Sequence, residues 1–129
     1  MILDTTVIVD ILRGNDAVSD VMNRIDRTTV PRVSAVTVME LIEGAEYSDR
    51  SEEERAAIRS ILTELDQVSF DENCAIVAGE ISATLLAAGE RIEPADIMIA
   101  ATARSRDLPV VTGNGKHFRR VNGLDLVEY

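Results

Sequence analysis

Short apolar segments alternate with longer helical ones along this chain, and this alternation constrains its fold more than any other feature. The segments predicted as strands are Met1–Leu3, Val30–Val33, Val68–Phe70, Val110–Val111 and Leu124–Val127. Helical spacing and capping residues predict helices over Thr5–Leu12, Asp16–Ile25, Ala35–Tyr47, Ser51–Asp66, Asp71–Ala88 and Pro94–Arg106. Such alternation is typical of a parallel sheet covered by helices on both faces. The predicted class is therefore α/β, with a three-layer α/β/α arrangement around a short, mostly parallel sheet of four to five strands.

The length and charge of the chain narrow its function. Its 129 residues suit one domain, 1–129, and its formal charge is −10. A protein that coats nucleic acid in general should be basic, so that class is disfavoured. Aromatic residues make up 3% of the chain, which argues against a base-stacking platform. The tract 104–120 nevertheless holds five basic residues and one acid, which is compatible with a local phosphate site or with a solvated helix end.

The sequence carries no signal for a membrane or for an oxidising compartment. Cys74 is the only cysteine, so no intramolecular disulfide can form, and we expect it in the core. The first residues lack the basic start of a signal peptide. No apolar run approaches the ~20 residues of a membrane span. We expect a soluble, cytoplasmic protein.

Three acids stand at places where a carboxylate is costly without a partner. Asp4 directly follows the first strand, Glu40 lies in an apolar helix, and Asp96 opens a helix that is apolar almost all round. Simpler roles exist for each: a helix cap for Asp4, a salt bridge to an arginine for Glu40, and a favourable helix-dipole interaction for Asp96. In parallel sheets, ligands bind beyond the carboxyl ends of strands. Carboxylates gathered there repel one another, and a divalent cation removes that conflict.

The rest of the sequence excludes several other chemistries. His117 is the only histidine, so a zinc site with several histidine ligands is excluded, and a Ser-His-Asp triad would have to use it. No nucleophile elbow, phosphate-binding P-loop or dinucleotide fingerprint is present. Carboxylates without a Cys or His cluster favour Mg²⁺, with Mn²⁺ as the alternative.

Four segments, in order, resemble the motifs of the PIN-domain family, and the whole is most similar to the VapC-type toxin ribonucleases of toxin–antitoxin pairs. The first is Ile2 to Asp10, an apolar strand ending in Asp and then Thr. The second is Val38 to Ala45 with its acid at Glu40, and the third runs from Gly89 through Asp96 to Ala103. The fourth is Val110 to Asn114, followed by Phe118. The resemblance covers nearly the whole chain and implies a PIN-like α/β/α domain.

The resemblance also implies a set of site residues. Asp4, Glu40 and Asp96 would be metal ligands and catalytic residues, and Asn114 stands where the family often has a fourth acid. Because Asn114 carries no charge, we expect one well-held metal and a second that binds weakly. Residues expected to support the ligands or to hold phosphates are Thr5, Thr112, Glu43, Lys116 and Arg119, with Arg104 and Arg120 as further phosphate candidates.

The implied function is metal-dependent endoribonuclease activity that cuts RNA phosphodiester bonds. Resemblance to the toxins further implies a homodimer held inactive by a cognate antitoxin. Three alternatives stay open: a PIN nuclease of RNA maturation, a degenerate PIN domain that only binds, and a receiver-like signalling domain. A receiver requires a phospho-acceptor Asp after the third strand and a Lys after the fifth, whereas the sole lysine, Lys116, precedes the last strand.

Overall fold

A computed structural model describes residues 1–25 and 29–129 of the chain. Within them the strands are β1 (Ile2–Leu3), β2 (Arg32–Ser34), β3 (Asp66–Val68), β4 (Val110–Thr112) and β5 (Leu126–Glu128). The helices are α1 (Thr5–Leu12), α2 (Asp16–Arg24), α3 (Ala35–Glu46), α4 (Ser51–Leu62), α5 (Glu72–Ala88), α6 (Pro94–Ser105) and α7 (Gly115–Phe118). No helix of the described ranges is long and apolar enough to cross a membrane.

All pairings in the sheet are parallel, and the strand order is β3-β2-β1-β4-β5. The predicted α/β class and parallel sheet are confirmed. The chain builds outward from β1 to β3 and then resumes on the other side of β1 with β4. The direction of winding therefore reverses between β1 and β4, which makes that pair the switch point where a crevice opens at the carboxyl ends.

Successive strand residues point to opposite faces and feed two separate cores. Ile2 and Val110 pack with residues of α5 and α6, while Leu3 and Val111 pack with residues of α1, α2 and α4. Both faces of the sheet are thus covered by helices, which gives the three layers. Cys74 is fully buried on the α5 side, as expected.

Local capping fixes where the helices around the crevice begin. Asp4 caps α1 by accepting from the N–H of Val7, and Ser34 caps α3 by accepting from the N–H of Val36. Pro94 opens α6, where its missing N–H costs nothing. α1 and α3 start directly at the carboxyl ends of β1 and β2, and Asp96 in the first turn of α6 lies within electrostatic reach of Asp4, so these first turns surround the crevice.

Four predicted segments differ from the structure by two or more residues at one end or both. β2 begins at Arg32 rather than Val30, because Pro31 has no N–H to give to the ladder, and the first such bond runs from the N–H of Arg32 to Met1. β3 spans Asp66–Val68 rather than Val68–Phe70, so α4 stops at Leu62 instead of reaching Asp66. The last strand is Leu126–Glu128 rather than Leu124–Val127, and α7 was not predicted.

Candidate active site

The crevice between β1 and β4 is built around Asp4, the first residue after β1. Asp4 is 2% exposed, and its backbone N–H donates to the carbonyl of Val111 on β4. Its carboxylate accepts three hydrogen bonds. Oδ1 accepts from the hydroxyl of Thr6 at 2.6 Å and from the N–H of Val7 at 3.2 Å, and Oδ2 accepts from the hydroxyl of Thr112 at 2.6 Å.

The two threonine hydroxyls are themselves oriented by the loop that follows β4. The N–H of Gly113 donates to the Thr6 hydroxyl at 3.0 Å, and the N–H of Asn114 donates to the Thr112 hydroxyl at 2.9 Å. A hydroxyl oxygen that accepts a backbone N–H turns its own hydrogen elsewhere. Both hydrogens therefore point at Asp4, and two consecutive amides fix the orientation of its carboxylate.

The electrostatics of Asp4 reflect its burial. Desolvation raises the pKa of Asp4 above its ordinary value of 3.8, and the negative charge of Asp96 raises it further. The hydrogen bonds from Thr112, Thr6 and Val7 act in the opposite direction but do not cancel the burial effect. The negative charge on Asp4 is therefore costly, and a nearby cation would relieve the cost.

Glu40 lies on α3, with one of its carboxylate oxygens held from α1. The Thr5 hydroxyl donates to Oε1 of Glu40 at 2.6 Å and lies 3.1 Å from the hydroxyl of Thr37. Among the described residues Glu40 takes part in no salt bridge, so the simpler reading of an arginine pair is not supported. The helix is less buried than its apolar sequence suggests, because Met39 is 55% exposed and only the face with Thr37 and Leu41 is buried.

Asp96 lies in the first turn of α6, and its partner is the side chain of His117 on α7. Nδ1 of His117 is 2.9 Å from Oδ2 of Asp96, and both side chains are partly buried. His117 was not among the predicted site residues. The one sequence signal for its role in the site was that His117 is the sole histidine and follows Asn114 by three residues.

The structure brings Asp4 and Asp96 within electrostatic reach and keeps Glu40 attached to Thr5, next to Asp4 in the chain. No three His, Cys, Asp or Glu side chains of the described ranges are grouped closely enough to hold a metal ion between them. Asp4, Glu40 and Asp96 therefore do not form one compact three-carboxylate cluster in the described part of the chain.

The other predicted residues are distributed around this core. Thr112 is fully buried against Asp4, while Asn114 and Lys116 are exposed at the end of β4 and on α7. Glu43 is exposed on α3, and its side chain makes no hydrogen bond or ion pair within the described ranges. Thr6 was missed, because the first motif marks only the hydroxyl residue directly after Asp4.

All four arginines of the basic tract are bound to protein groups, Arg106 among them through Ser69 and Asp71. Arg119 pairs with both carboxylate oxygens of Glu128, at 2.8 to 3.2 Å. Arg104 donates to the carbonyl of Asn122, and Arg120 donates to the carbonyl of Arg91. Exposed Lys116 enters no salt bridge within the described part of the chain.

The molecule is therefore an α/β protein with an acidic site. A buried carboxylate lies at the switch point of its parallel sheet, and two helices contribute further acids beside it. The sequence model of the PIN domain matches residues 1–124. The chain belongs to the PIN-domain family.

Curated relatives and solved structures agree with that membership. The chain is 44% identical over 92 residues, 71% of its length and 70% of the relative's, to the tRNA(fMet)-specific endonuclease VapC of Shigella flexneri. It is 33% identical to ribonuclease VapC2 of Haemophilus influenzae (strain ATCC 51907 / DSM 11121 / KW20 / Rd), covering 95% of this chain and 92% of that one. DNA-bound VapBC of Salmonella typhimurium superposes with a TM-score of 0.88 at 34% identity, covering 98% and 96% of the two chains.

Proposed function

We propose that this chain is a VapC-type endoribonuclease, a single PIN domain over residues 1–129 that hydrolyses RNA phosphodiester bonds with a divalent cation. The observation that carries the proposal is Asp4, a buried carboxylate fixed by hydroxyl donors at the switch point and facing the charge of Asp96. The names of its relatives, among them an endonuclease specific for tRNA(fMet), support ribonuclease activity.

The residues at the crevice fit Mg²⁺ or Mn²⁺ by their donor chemistry. Asp4 and Asp96 would hold the ion, with Glu40 and the amide oxygen of Asn114 as further oxygen donors. A divalent cation bound there would lower the pKa of its water and stabilise negative charge on a phosphate. Asn114 brings no charge, so a second ion would bind weakly.

The protein's own contribution is to fix the orientation of these donors. Thr6 and Thr112 hold the two oxygens of Asp4, Thr5 holds Glu40, and His117 holds Asp96. Groups that support metal ligands in this way commonly change metal affinity or activity by about 10- to 100-fold when removed. Exposed Lys116, two residues after Asn114, would meet a flanking phosphate, while Arg119 would first have to leave Glu128.

A cognate antitoxin is the proposed protein partner, in a type II pair whose toxin acts as a homodimer in the cytoplasm. Several solved structures similar to this chain are VapBC complexes. An open cleft of about 550 Å³ runs from Thr5 and Glu40 between α1, α3 and α4. A segment lying in that cleft would cover Glu40 and block the crevice, which is how an antitoxin would inhibit the enzyme.

Cleavage of defined RNA tests the proposal. We expect the purified chain to cut tRNA(fMet) in Mg²⁺ or Mn²⁺ and to be inactive in EDTA. Asp4→Asn, Glu40→Gln and Asp96→Asn should each abolish cutting. Glu46→Gln is the matched control, since Glu46 lies on the same helix as Glu40 but pairs with Arg55 at the surface, and it should cut normally.

Two outcomes would redirect the proposal. If the wild type cuts no RNA better than the Asp4→Asn variant does, the chain is a PIN domain that only binds. If it cuts other RNAs and leaves tRNA intact, and no antitoxin reading frame neighbours its gene, a role in RNA maturation is favoured.

A further inference from the structure

A second set of contacts ties the loop after β4 to α1 through the side chain of Tyr129. Tyr129 directly follows β5, and its hydroxyl donates to Oδ2 of Asp10 on α1 at 2.6 Å. Its ring lies against the backbone of Gly113, where a Cβ would stand 3.0 to 3.1 Å from the ring and hydroxyl atoms. One half-buried side chain therefore spans from α1 to the loop that orients the hydroxyls around Asp4.

The hydrogen bond from Tyr129 to Asp10 holds the ring firmly on α1. A phenol O–H donating to a carboxylate makes a short, charge-assisted hydrogen bond. Burial raises the pKa of Tyr129, and the bond to Asp10 raises it further, so the phenol stays a donor at neutral pH. The backbone N–H of Tyr129 also donates to the carbonyl of Thr112 at 3.3 Å, which holds the residue beside β4.

The contacts continue without a gap from Tyr129 to Asp4. The ring covers the side of Gly113 where a side chain would stand, and the N–H of Gly113 donates to the hydroxyl of Thr6. That hydroxyl donates to Oδ1 of Asp4. If Gly113 moved away, the Thr6 hydroxyl would no longer accept the N–H of Gly113. Its hydrogen would then no longer be directed at Asp4.

We propose that Tyr129 is a positioning residue for Asp4: anchored on Asp10, its ring holds Gly113 in place, so that Gly113 keeps Thr6 directed at the carboxylate. The inference rests on the proposed function, because Asp4 is the ligand being positioned. Tyr129 lies 125 positions after Asp4, at the opposite end of the described sequence, and would be a further supporting residue of the site.

Two measurements on the full chain test this role, and neither uses cleavage. The first is Mn²⁺ affinity by calorimetry, and the second is amide hydrogen exchange at Gly113 by NMR. We expect Tyr129→Ala to weaken Mn²⁺ binding by about tenfold and to speed exchange at Gly113 by a similar factor. Exchange at Ile81, a core residue of α5, should be unchanged, which separates a local effect from general loosening.

Conservative variants keep the test informative if Tyr129→Ala folds poorly. Tyr129→Phe keeps the ring and loses the anchor, so its effects should be smaller and of the same sign. Asp10→Asn retains an oxygen acceptor and should restore most of the affinity lost in Asp10→Ala. Combining Tyr129→Phe with Asp10→Ala should be no worse than Asp10→Ala alone, because both remove one bond. Tyr47→Phe makes the same chemical change at a tyrosine that is 87% exposed and should change neither readout.

The failure of this inference can be told apart from failure of the proposed function. If Gly113 exchanges at the wild-type rate in Tyr129→Ala, or if Mn²⁺ affinity is unchanged while Gly113 loosens, the positioning role is overturned. A wild type that neither binds Mn²⁺ nor cuts RNA instead contradicts the proposed function. In RNA cleavage the positioning role predicts a lower kcat with an unchanged KM for RNA, because Tyr129 acts on Asp4 and not on substrate.

Discussion

Single residues decide how the carboxylate of Asp4 is presented. Sequence reasoning found Asp4, Glu40 and Asp96 because an acid beside a strand end or in an apolar helix is conspicuous. Thr5 was predicted as a supporting residue and Thr6 was not, although only helix phase decides which acid each hydroxyl meets. In the structure Thr5 turns toward α3 and Glu40, whereas Thr6 turns toward Asp4 and the loop after β4.

Replacing Thr112 by Val tests the hydroxyl that holds Oδ2. Valine has nearly the same shape but leaves a buried carboxylate oxygen and the N–H of Asn114 without their partner. We expect a loss of about 1–3 kcal/mol in the free energy of unfolding, measured by urea denaturation, and RNA cleavage about 10- to 100-fold slower. Thr102→Val is the matched control, because Thr102 is equally buried but bonds only to a carbonyl of its own helix. If both variants cleave RNA equally well, the Thr112 hydroxyl does not support the site.

The raised pKa of Asp4 predicts a pH dependence of stability with a definite sign. Between 3.8 and the raised value, the folded state binds a proton at Asp4 that the unfolded state has released. The free energy of unfolding therefore falls as pH rises through this window. Other carboxylates titrate there too, so the measurement is the difference between the wild type and Asp4→Asn, followed by urea denaturation from about pH 3 to pH 7. The wild type should lose stability relative to the variant as pH rises, and a difference that grows in its favour would refute the burial effect.

At the scale of elements, the sequence predicted the helices well and the short strands less well. Asp66 and Gln67 are exposed on the edge strand β3, so an apolar-run criterion extended α4 over Asp66 and placed the strand two residues late. The single turn α7 is too short to show any periodicity, yet it carries His117 to Asp96. What escaped prediction was set by tertiary contacts, which no local pattern encodes.

The close approach of α7 to β5 leads to a prediction at Gly115. A Cβ at this position would overlap the carboxylate of Glu128, which is held by Arg119. Gly115→Ala should therefore push the flexible Glu128 side chain away and break its exposed ion pair with Arg119, lowering the free energy of unfolding by up to about 1 kcal/mol. Displacement of α7 by the same overlap would move His117 from Asp96. Urea denaturation measures the first effect, and the NMR shifts of the His117 ring report the second.

Gly79→Ala provides the contrast for that experiment. Gly79 is also helical, but a Cβ there meets nothing within 4 Å, so alanine should stabilise α5 by about 0.5–1 kcal/mol. If Gly115→Ala is as well tolerated as Gly79→Ala, the packing of α7 on β5 is looser than described. Adding Glu128→Ala to Gly115→Ala should recover part of the lost stability, since it removes the overlapping group.

Across the whole molecule, the formal charge of −10 complicates any test of metal binding. Divalent cations screen such a charge without occupying a site, and they would raise the melting temperature of any acidic protein. A bound ion stabilises the folded state further, by about 2.7 kcal/mol at one hundred times its Kd.

We therefore expect Mn²⁺ to raise the melting temperature of the wild type beyond the increase given by NaCl at equal ionic strength. That excess should vanish in Asp4→Asn and Asp96→Asn but persist in Glu46→Gln, which removes one charge as they do, away from the crevice. An equal excess in all four proteins would mean that the ion acts on the total charge, and the acids at the end of β1 and the start of α6 would then not form a metal site.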